Sequence, residues 1–256
     1  MARVLAISSQ VAWGPVGLTA LVPPLQAMGH EVMALPTITL SNHPGHGVPK
    51  GFRTEPGQMA AIFTALKERG ALGKVDAVLT GYFASVAQVE EAARAIPAIN
   101  APIVLVDPVI GDGDALYVPE DVATAIRDRL LPLATLITPN AFELGWLSGI
   151  SVSDEATALA AARRLGTPEV LATSVPSTDD TLLTLAITKN AVARIQRQRL
   201  PHVPHGTGDF LSGAYLAERL SSSPEQALPA AMRKLDRAIA LSHGTDVLAV
   251  AQALAG

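Results

Sequence analysis

The sequence predicts an α/β protein with a mainly parallel central sheet, helices on both faces and a late β-hairpin. Two observations carry that expectation. Short runs rich in Val, Ile and Leu are continuously apolar rather than alternating, the pattern of strands buried on both faces. They recur between longer Ala-rich segments with helical spacing, and such alternation gives a layered sandwich with right-handed crossovers. No internal repeat, low-complexity tract or linker interrupts the pattern, so residues 1–256 read as one domain.

In chain order, Val4 to Ile7 is the first strand, Gly14-Pro15-Val16-Gly17 a turn, and the segment up to His30 a short helix. Val4 to His30 carries no formally charged side chain, a length that could span a bilayer. Its Gly and Pro residues and Ser8-Ser9-Gln10 make it buried soluble structure instead. Val32 to Leu35, Ala77 to Leu79, Ile103 to Val106, Leu136 to Ile137 and Val170 to Ala172 supply further strands. Gln58 to Arg69, Ala87 to Ala95, Val122 to Leu131 and Asp154 to Leu165 supply helices. Thr181 to Thr188 and Ala191 to Gln198 flank Lys189-Asn190, a hairpin signal. After Gly208, Leu211, Ala214, Ala217 and Leu220 share one helical face; Ser221 to Pro224 break it, and an Ala-rich helical region closes the chain.

Composition removes several functions. The chain has no cysteine, which excludes disulfide frameworks, thiolate zinc sites, iron–sulfur clusters and thiol catalysis. With 49% apolar residues, 16% charged residues and a mean hydropathy of +0.32, it is far from a disordered profile. A net charge of −4 argues against nucleic acid as partner. The amino terminus lacks a basic start and a small-residue cleavage site, so a cytoplasmic protein without a membrane partner is expected.

Open α/β sheets bind ligands at the carboxyl ends of their strands, so polar, Gly-rich clusters should follow the apolar runs. Six do: Ser8-Ser9-Gln10, Thr37 to His46, Thr80-Gly81-Tyr82, Asp107 to Asp112, Thr138-Pro139-Asn140 and Thr173-Ser174. Gly206-Thr207-Gly208-Asp209, opening an apolar helix, is the most informative tetrapeptide. Two glycines let backbone N–H groups point outward together, and the helix start adds its positive end, which makes a receptacle for a phosphate or developing anion. Asp209 could accept a proton from an incoming hydroxyl, or simply cap the helix. Asn140 and Glu143 fit a capping box, or place Glu143 beside a hydrated magnesium ion. Asp107 and Asp112 are open between turn chemistry and a metal or phosphate neighbourhood. His43, His46, His202 and His205 match no zinc spacing. No P-loop and no dinucleotide fingerprint occurs.

In this order the clusters resemble the pyridoxal kinase group of the ribokinase-like superfamily, from about residue 3 to 243. The motifs are Ile7-Ser8-Ser9-Gln10-Val11 with Gly14 and Gly17, Ser41-Asn42-His43, Gly81-Tyr82, and Asp107-Pro108-Val109-Ile110-Gly111-Asp112 with Tyr117-Val118-Pro119. Thr138-Pro139-Asn140-Ala141-Phe142-Glu143, Thr173-Ser174 and Gly206-Thr207-Gly208-Asp209 complete them. The resemblance implies a ribokinase-like sandwich and ATP-dependent phosphorylation of the 5′-hydroxymethyl group of pyridoxal, with pyridoxine and pyridoxamine as further acceptors. It implies Asp209 as base and the backbone of Gly206, Thr207 and Gly208 as anion hole. Ser9, Val16, Tyr82 and His43 fall at acceptor contacts, and Asp112, Thr138, Glu143, Thr173, Ser174, Thr207 and Gly208 around the nucleotide. Asp112 and Glu143 fall beside Mg²⁺, a monovalent cation being an open addition, and a homodimer is implied.

The chain departs from the family pattern at Gln10, Leu18, Thr39, Leu40 and Pro44, and is short after Asp112 and around Ser177 to Thr181, where a flap covers ATP. Two alternatives stay open: a kinase for hydroxymethylpyrimidine or a related heterocyclic alcohol, and a non-catalytic vitamer-binding protein.

Overall fold

The computed structural model describes residues 1–255. Side-chain alternation along each strand decides which helices it carries. In β1 (Arg3–Trp13), Val4 and Ala6 point to one face and Leu5 and Ile7 to the other, all fully buried. Its neighbours are β2 (Glu31–Asn42), which carries the short edge strand β3 (Gly51–Arg53), and β4 (Ala77–Thr80). Beyond β4 follows β5 (Ile103–Val106). A separate two-stranded ribbon, β6 (Gly111–Asp112) and β7 (Ala115–Leu116), leads to β8 (Leu136–Ile137), β9 (Glu169–Thr178), β10 (Thr181–Thr188) and β11 (Val192–Gln198). The main sheet runs β11-β10-β9-β8-β5-β4-β1-β2-β3. It is parallel from β2 to β9 and antiparallel at β3, β10 and β11.

The face of Val4, Ala6, Leu79, Leu105 and Leu171 is covered by α1 (Leu18–Ala27), α7 (Thr207–Arg219), α8 (Pro224–Leu241) and α9 (Val250–Leu254). The opposite face holds α2 (Pro56–Glu68), α3 (Val86–Ile99), α4 (Glu120–Ala125), α5 (Ala141–Ser148) and α6 (Glu155–Leu165). Local signals set the helix ends. Asn140 and Asp154 accept N–H bonds from Glu143 and Thr157 at 2.9 and 2.8 Å, and Gly149 and Gly166 close α5 and α6 in the left-handed conformation. Because β1 pairs with β2 on one side and β4 on the other, strand order reverses there, and a crevice opens beyond its carboxyl end.

The expected sheet, helices on both faces and hairpin at Lys189-Asn190 are all present. Several boundaries differ, for physical reasons. β1, β2 and β9 run well past their apolar cores, so Ser8-Ser9-Gln10, Thr37 to Asn42 and Thr173-Ser174 lie inside strands rather than after them. Pairing with a neighbour continues where hydrophobicity stops: β1–β2 pairing resumes after an irregularity between Ser8 and Gln10, and β9 is held by β10. The helix expected over Val122 to Leu131 is α4 followed by a wide turn over Ile126–Leu130 and a tight one over Leu131–Leu133. Among the described residues no helix is long and apolar enough to cross a membrane. The uncharged stretch up to His30 is β1, a loop and α1.

Candidate active site

The first turn of α7 is the centre of the site. Gly206 caps it at φ 90°, and a Cβ there would lie 2.1 Å from the Pro15 carbonyl oxygen, so only glycine fits between the helix and the β1–α1 loop. The amides of Thr207 and Gly208 follow at the helix start, where backbone N–H groups lack intrahelical partners. Nothing lies within 4 Å of where a Gly208 Cβ would stand. The cradle is therefore rigid behind and open in front.

Asp209 sits in the same turn, recessed among protein atoms yet reachable by solvent. Burial pushes its carboxyl up to about 6, and the Gly17 N–H pulls the other way. Behind it, Asp107 is buried; its Oδ2 accepts from Ser212 Oγ at 2.8 Å, and that hydroxyl lies 3.0 Å from Thr138 Oγ1. Burial, then the charges of Glu143 and Asp209, raise Asp107 well above the usual range. Glu143 Oε1 accepts from the Ile110 and Gly111 N–H groups at 2.8 and 3.4 Å, and Oε2 from Asn140 N–H at 3.0 Å. Burial still lifts it to about 7. No Lys or Arg side chain is among the groups that shift any of these three carboxyls. Glu143 and the rim residue Asp112 are the carboxylates that could contribute to a magnesium ion, which takes one or two of them and completes its shell with phosphate and water. Asp112 is exposed at the rim and accepts from its neighbour Gly113.

A cleft of about 1090 Å³ opens in front of the cradle. Asn140, Thr173, Ser174, Thr207 and Gly208 line it together with Leu211, Met232 and Leu235 and with Arg197, Asp236 and His243. The cleft thus offers polar groups, the N–H donors of a helix start and apolar side chains. Two backbone outliers frame the site: Val109 at φ 47° and Ser174 at φ 54°, conformations that β-branched and ordinary residues rarely hold. At the tip of the β9–β10 hairpin only Asp179-Asp180 separate the strands, and the Thr178 and Thr181 hydroxyls meet at 2.7 Å. The short flap is a tight turn.

The residues expected at the acceptor lie on β1 and on the segments beyond β1, β2 and β4. The Ser9 carbonyl and hydroxyl press on Gly17, Val16 is buried against Gly206, and the Tyr82 N–H is 3.1 Å from Ser8 Oγ. Thr37 Oγ1 donates to the Tyr82 carbonyl, and buried Gln88 donates to the carbonyls of Thr37 and Thr54, tying β2 to the loop after β4. His43 directly follows β2.

Of the sequence-derived residues, Asp112, Thr173, Ser174, Thr207 and Gly208 line the cleft, and the others lie at different depths. Thr138 and Glu143 lie buried beneath the cleft instead of lining it. Glu143 does form the capping box, so the ordinary structural role is realised in full. His43, His46 and His205 come together despite their sequence spacing, whereas His202 pairs with Asp246 at 2.8 Å. Among the described residues no group of three or more His, Cys, Asp or Glu is arranged to hold a metal ion. The buried Asp107–Ser212–Thr138 link and the apolar lining of the cleft were not singled out from sequence. Ser212 is an isolated polar residue on an apolar helix, and the apolar lining residues carry no polar motif.

A glycine-bounded helix start, a recessed carboxylate and a cleft at the point where a parallel sheet reverses suit phosphoryl transfer to a small molecule. The pattern of the phosphomethylpyrimidine kinase family matches residues 17–252. A pyridoxal kinase of Leifsonia xyli subsp. xyli is 37% identical over 226 residues, covering 84% of this chain and 80% of its own. A pyridoxine/pyridoxal/pyridoxamine kinase of Bordetella avium is 36% identical over 255 residues, covering 95% of this chain and 86% of its own. The pyridoxal kinase of Leishmania donovani in complex with ADP and pyridoxamine superposes with a TM-score of 0.90 at 31% identity, covering 98% of this chain and 94% of that one. The chain belongs to the pyridoxal kinase family of the ribokinase-like superfamily.

Proposed function

We propose that this kinase, a single domain over residues 1–256, transfers the γ-phosphoryl group of ATP to the 5′-hydroxyl of pyridoxal, with pyridoxine and pyridoxamine as further acceptors. The carrying observation is Asp209 in the first turn of α7, with Thr207 and Gly208 of that turn lining the cleft and Val16 against Gly206. Asp209 takes the hydroxyl proton while the freed oxygen attacks phosphorus and ADP leaves. The Gly206–Asp209 backbone N–H groups hold the charge that builds on the phosphoryl oxygens. Thr173, Ser174 and Thr207 bind phosphate oxygens, and Thr138 holds Ser212 and Asp107 in place beneath. Asp112 and Glu143 would hold Mg²⁺, which neutralises phosphate charge when bound. A monovalent cation is a further candidate requirement.

The test is ADP release with pyridoxal, pyridoxine, pyridoxamine and hydroxymethylpyrimidine, with the phosphorylated product identified by mass. Turnover with a B6 vitamer supports the reading. The match to the phosphomethylpyrimidine kinase pattern favours one second reading, a hydroxymethylpyrimidine acceptor, and turnover with that alcohol alone would establish it. Vitamer binding without any turnover would point to a binding protein. We place the enzyme in the cytoplasm as a homodimer; Val48 and Phe52, 95% and 67% exposed beside the sheet edge, are apolar surface that a second copy would cover.

A further inference from the structure

Four rings from three chain segments meet at the rim of the site. Trp13 ends β1, His43 and His46 lie in the β2–β3 connection, and His205 stands one residue before Gly206. The His43 and His205 rings are 4.2 Å apart between centroids, His46 and His205 5.6 Å, and Trp13 and His46 4.8 Å. Glycines make room for both contacts. A Cβ on Gly45 would fall 2.3 Å from His205 Nε2, and one on Gly14 would fall 3.2 Å from His46 Nε2. Among the described residues no hydrogen bond joins the His43–Gly47 segment to the segment before α7, so the rings carry that connection.

We propose that His205 is a positioning residue: stacked on His43 and seated over Gly45, it clamps the acceptor-side loop to the anion cradle and sets affinity for the acceptor. The proposal rests on the reading of Gly206–Asp209 as cradle and base. The route is short. His205 leads directly into Gly206, and His46 braces Gly14 of the loop whose Gly17 N–H faces Asp209. The stack needs neutral rings, because three imidazolium ions at these separations would repel one another. Burial, then His205 and His46, bring His43 down to about 4; burial, then His46, lowers His205, with Asp246 opposing and His202 adding to the lowering.

The test uses His205→Ala, His205→Phe and Gly45→Ala, the last a wedge that displaces the ring without altering the cradle. His205→Ala and Gly45→Ala should raise the KM for pyridoxal about tenfold, as loosened positioning does, while the KM for ATP stays within about twofold. His205→Phe should recover most of the loss, because it restores a neutral ring. In a Trp146→Phe background Trp13 is the sole tryptophan, and its emission should shift in His205→Ala and return in His205→Phe. An unchanged pyridoxal KM, a parallel rise in the ATP KM, or unaltered Trp13 emission in His205→Ala overturns the clamp. If the wild type phosphorylates no acceptor the kinase reading fails, and Trp13 emission alone then decides the clamp.

Discussion

Asp209→Asn separates the two consequences of a recessed base. The carboxyl titrates at about 6 instead of 3.8, with burial the leading cause. At about 1.4 kcal/mol per pH unit, keeping it ionised in the folded protein costs up to roughly 3 kcal/mol, an upper bound because solvent reaches it. The folded state binds this proton more tightly than the unfolded state. Its contribution to stability is therefore full below pH 3.8 and lost as pH rises through about 6. Asp209→Asn should then melt several degrees above the wild type at pH 8, with the gap closing by pH 4. The same variant loses the proton acceptor, a loss of about 10²–10⁴ in kcat, while ATP binding is retained. Wild-type kcat/KM should fall below about pH 6 as the base becomes protonated. ADP-release kinetics and scanning calorimetry across pH 4–8 read all of this. Wild-type turnover in Asp209→Asn would falsify the assignment of the base, and a melting gap that persists at pH 4 would refute the burial argument.

Other perturbations reach different parts of the site. Gly206→Ala places a Cβ 2.1 Å from the Pro15 carbonyl at φ 90° and should cut kcat at least about 10²-fold, as losing an oxyanion donor does. Gly208→Ala meets no atom within 4 Å, so it should fold normally and raise the KM for ATP by crowding the phosphate; an unchanged ATP KM would place the phosphates elsewhere. Glu143→Gln leaves at least one of three backbone N–H groups without its acceptor and should raise the Mg²⁺ concentration for half-maximal rate by roughly tenfold. A magnesium titration with the wild-type midpoint would remove Glu143 from the cation site. Arg219→Met strands Glu169, whose carboxylate takes Arg219 Nε and the Tyr215 hydroxyl in the interior. Urea unfolding should show a loss of about 3–5 kcal/mol, largely recovered by adding Glu169→Leu; no loss would mean the pair is solvated.

Legibility in the sequence followed burial. β5 and β8 begin and end where their apolar runs do, because only hydrophobicity defines them. β1, β2 and β9 continue into polar residues because a neighbour keeps supplying hydrogen bonds, and a single sequence does not display its neighbours. The phosphate side of the site could be read because it is local: Gly206 to Asp209 sit in one helical turn, and Asn140 and Glu143 in another. The proposed acceptor side draws on Ser9, Val16, Tyr82 and His43, which no spacing connects. The histidines show the same limit. His43 and His205 are 162 positions apart by their numbers, and only the reversal of strand order at β1 brings their loops to one rim.

The capping-box reading of Asn140–Glu143 is realised, and the magnesium contact proposed above would use the same carboxylate. A carboxylate offers about four lone-pair directions, and Glu143 commits three contacts to the N–H groups of Ile110, Gly111 and Asn140. Those bonds keep a buried carboxyl at about 7 instead of higher still, against the opposing effects of burial and Asp112. They also lock its position from two directions, because Asn140 Nδ2 donates to the Gly111 carbonyl at 2.8 Å and closes the ring between α5 and the β6 strand. A helix cap so immobilised would leave about one lone-pair direction for the proposed cation contact, made singly or through water. On the proposal of a cation held there, the cap would supply its positioning, and a change that broke the cap without touching Glu143, such as Asn140→Ala, should weaken magnesium dependence and helix stability together. Separation of those two effects in a magnesium titration and a urea melt would show that the cap and the cation site are independent after all.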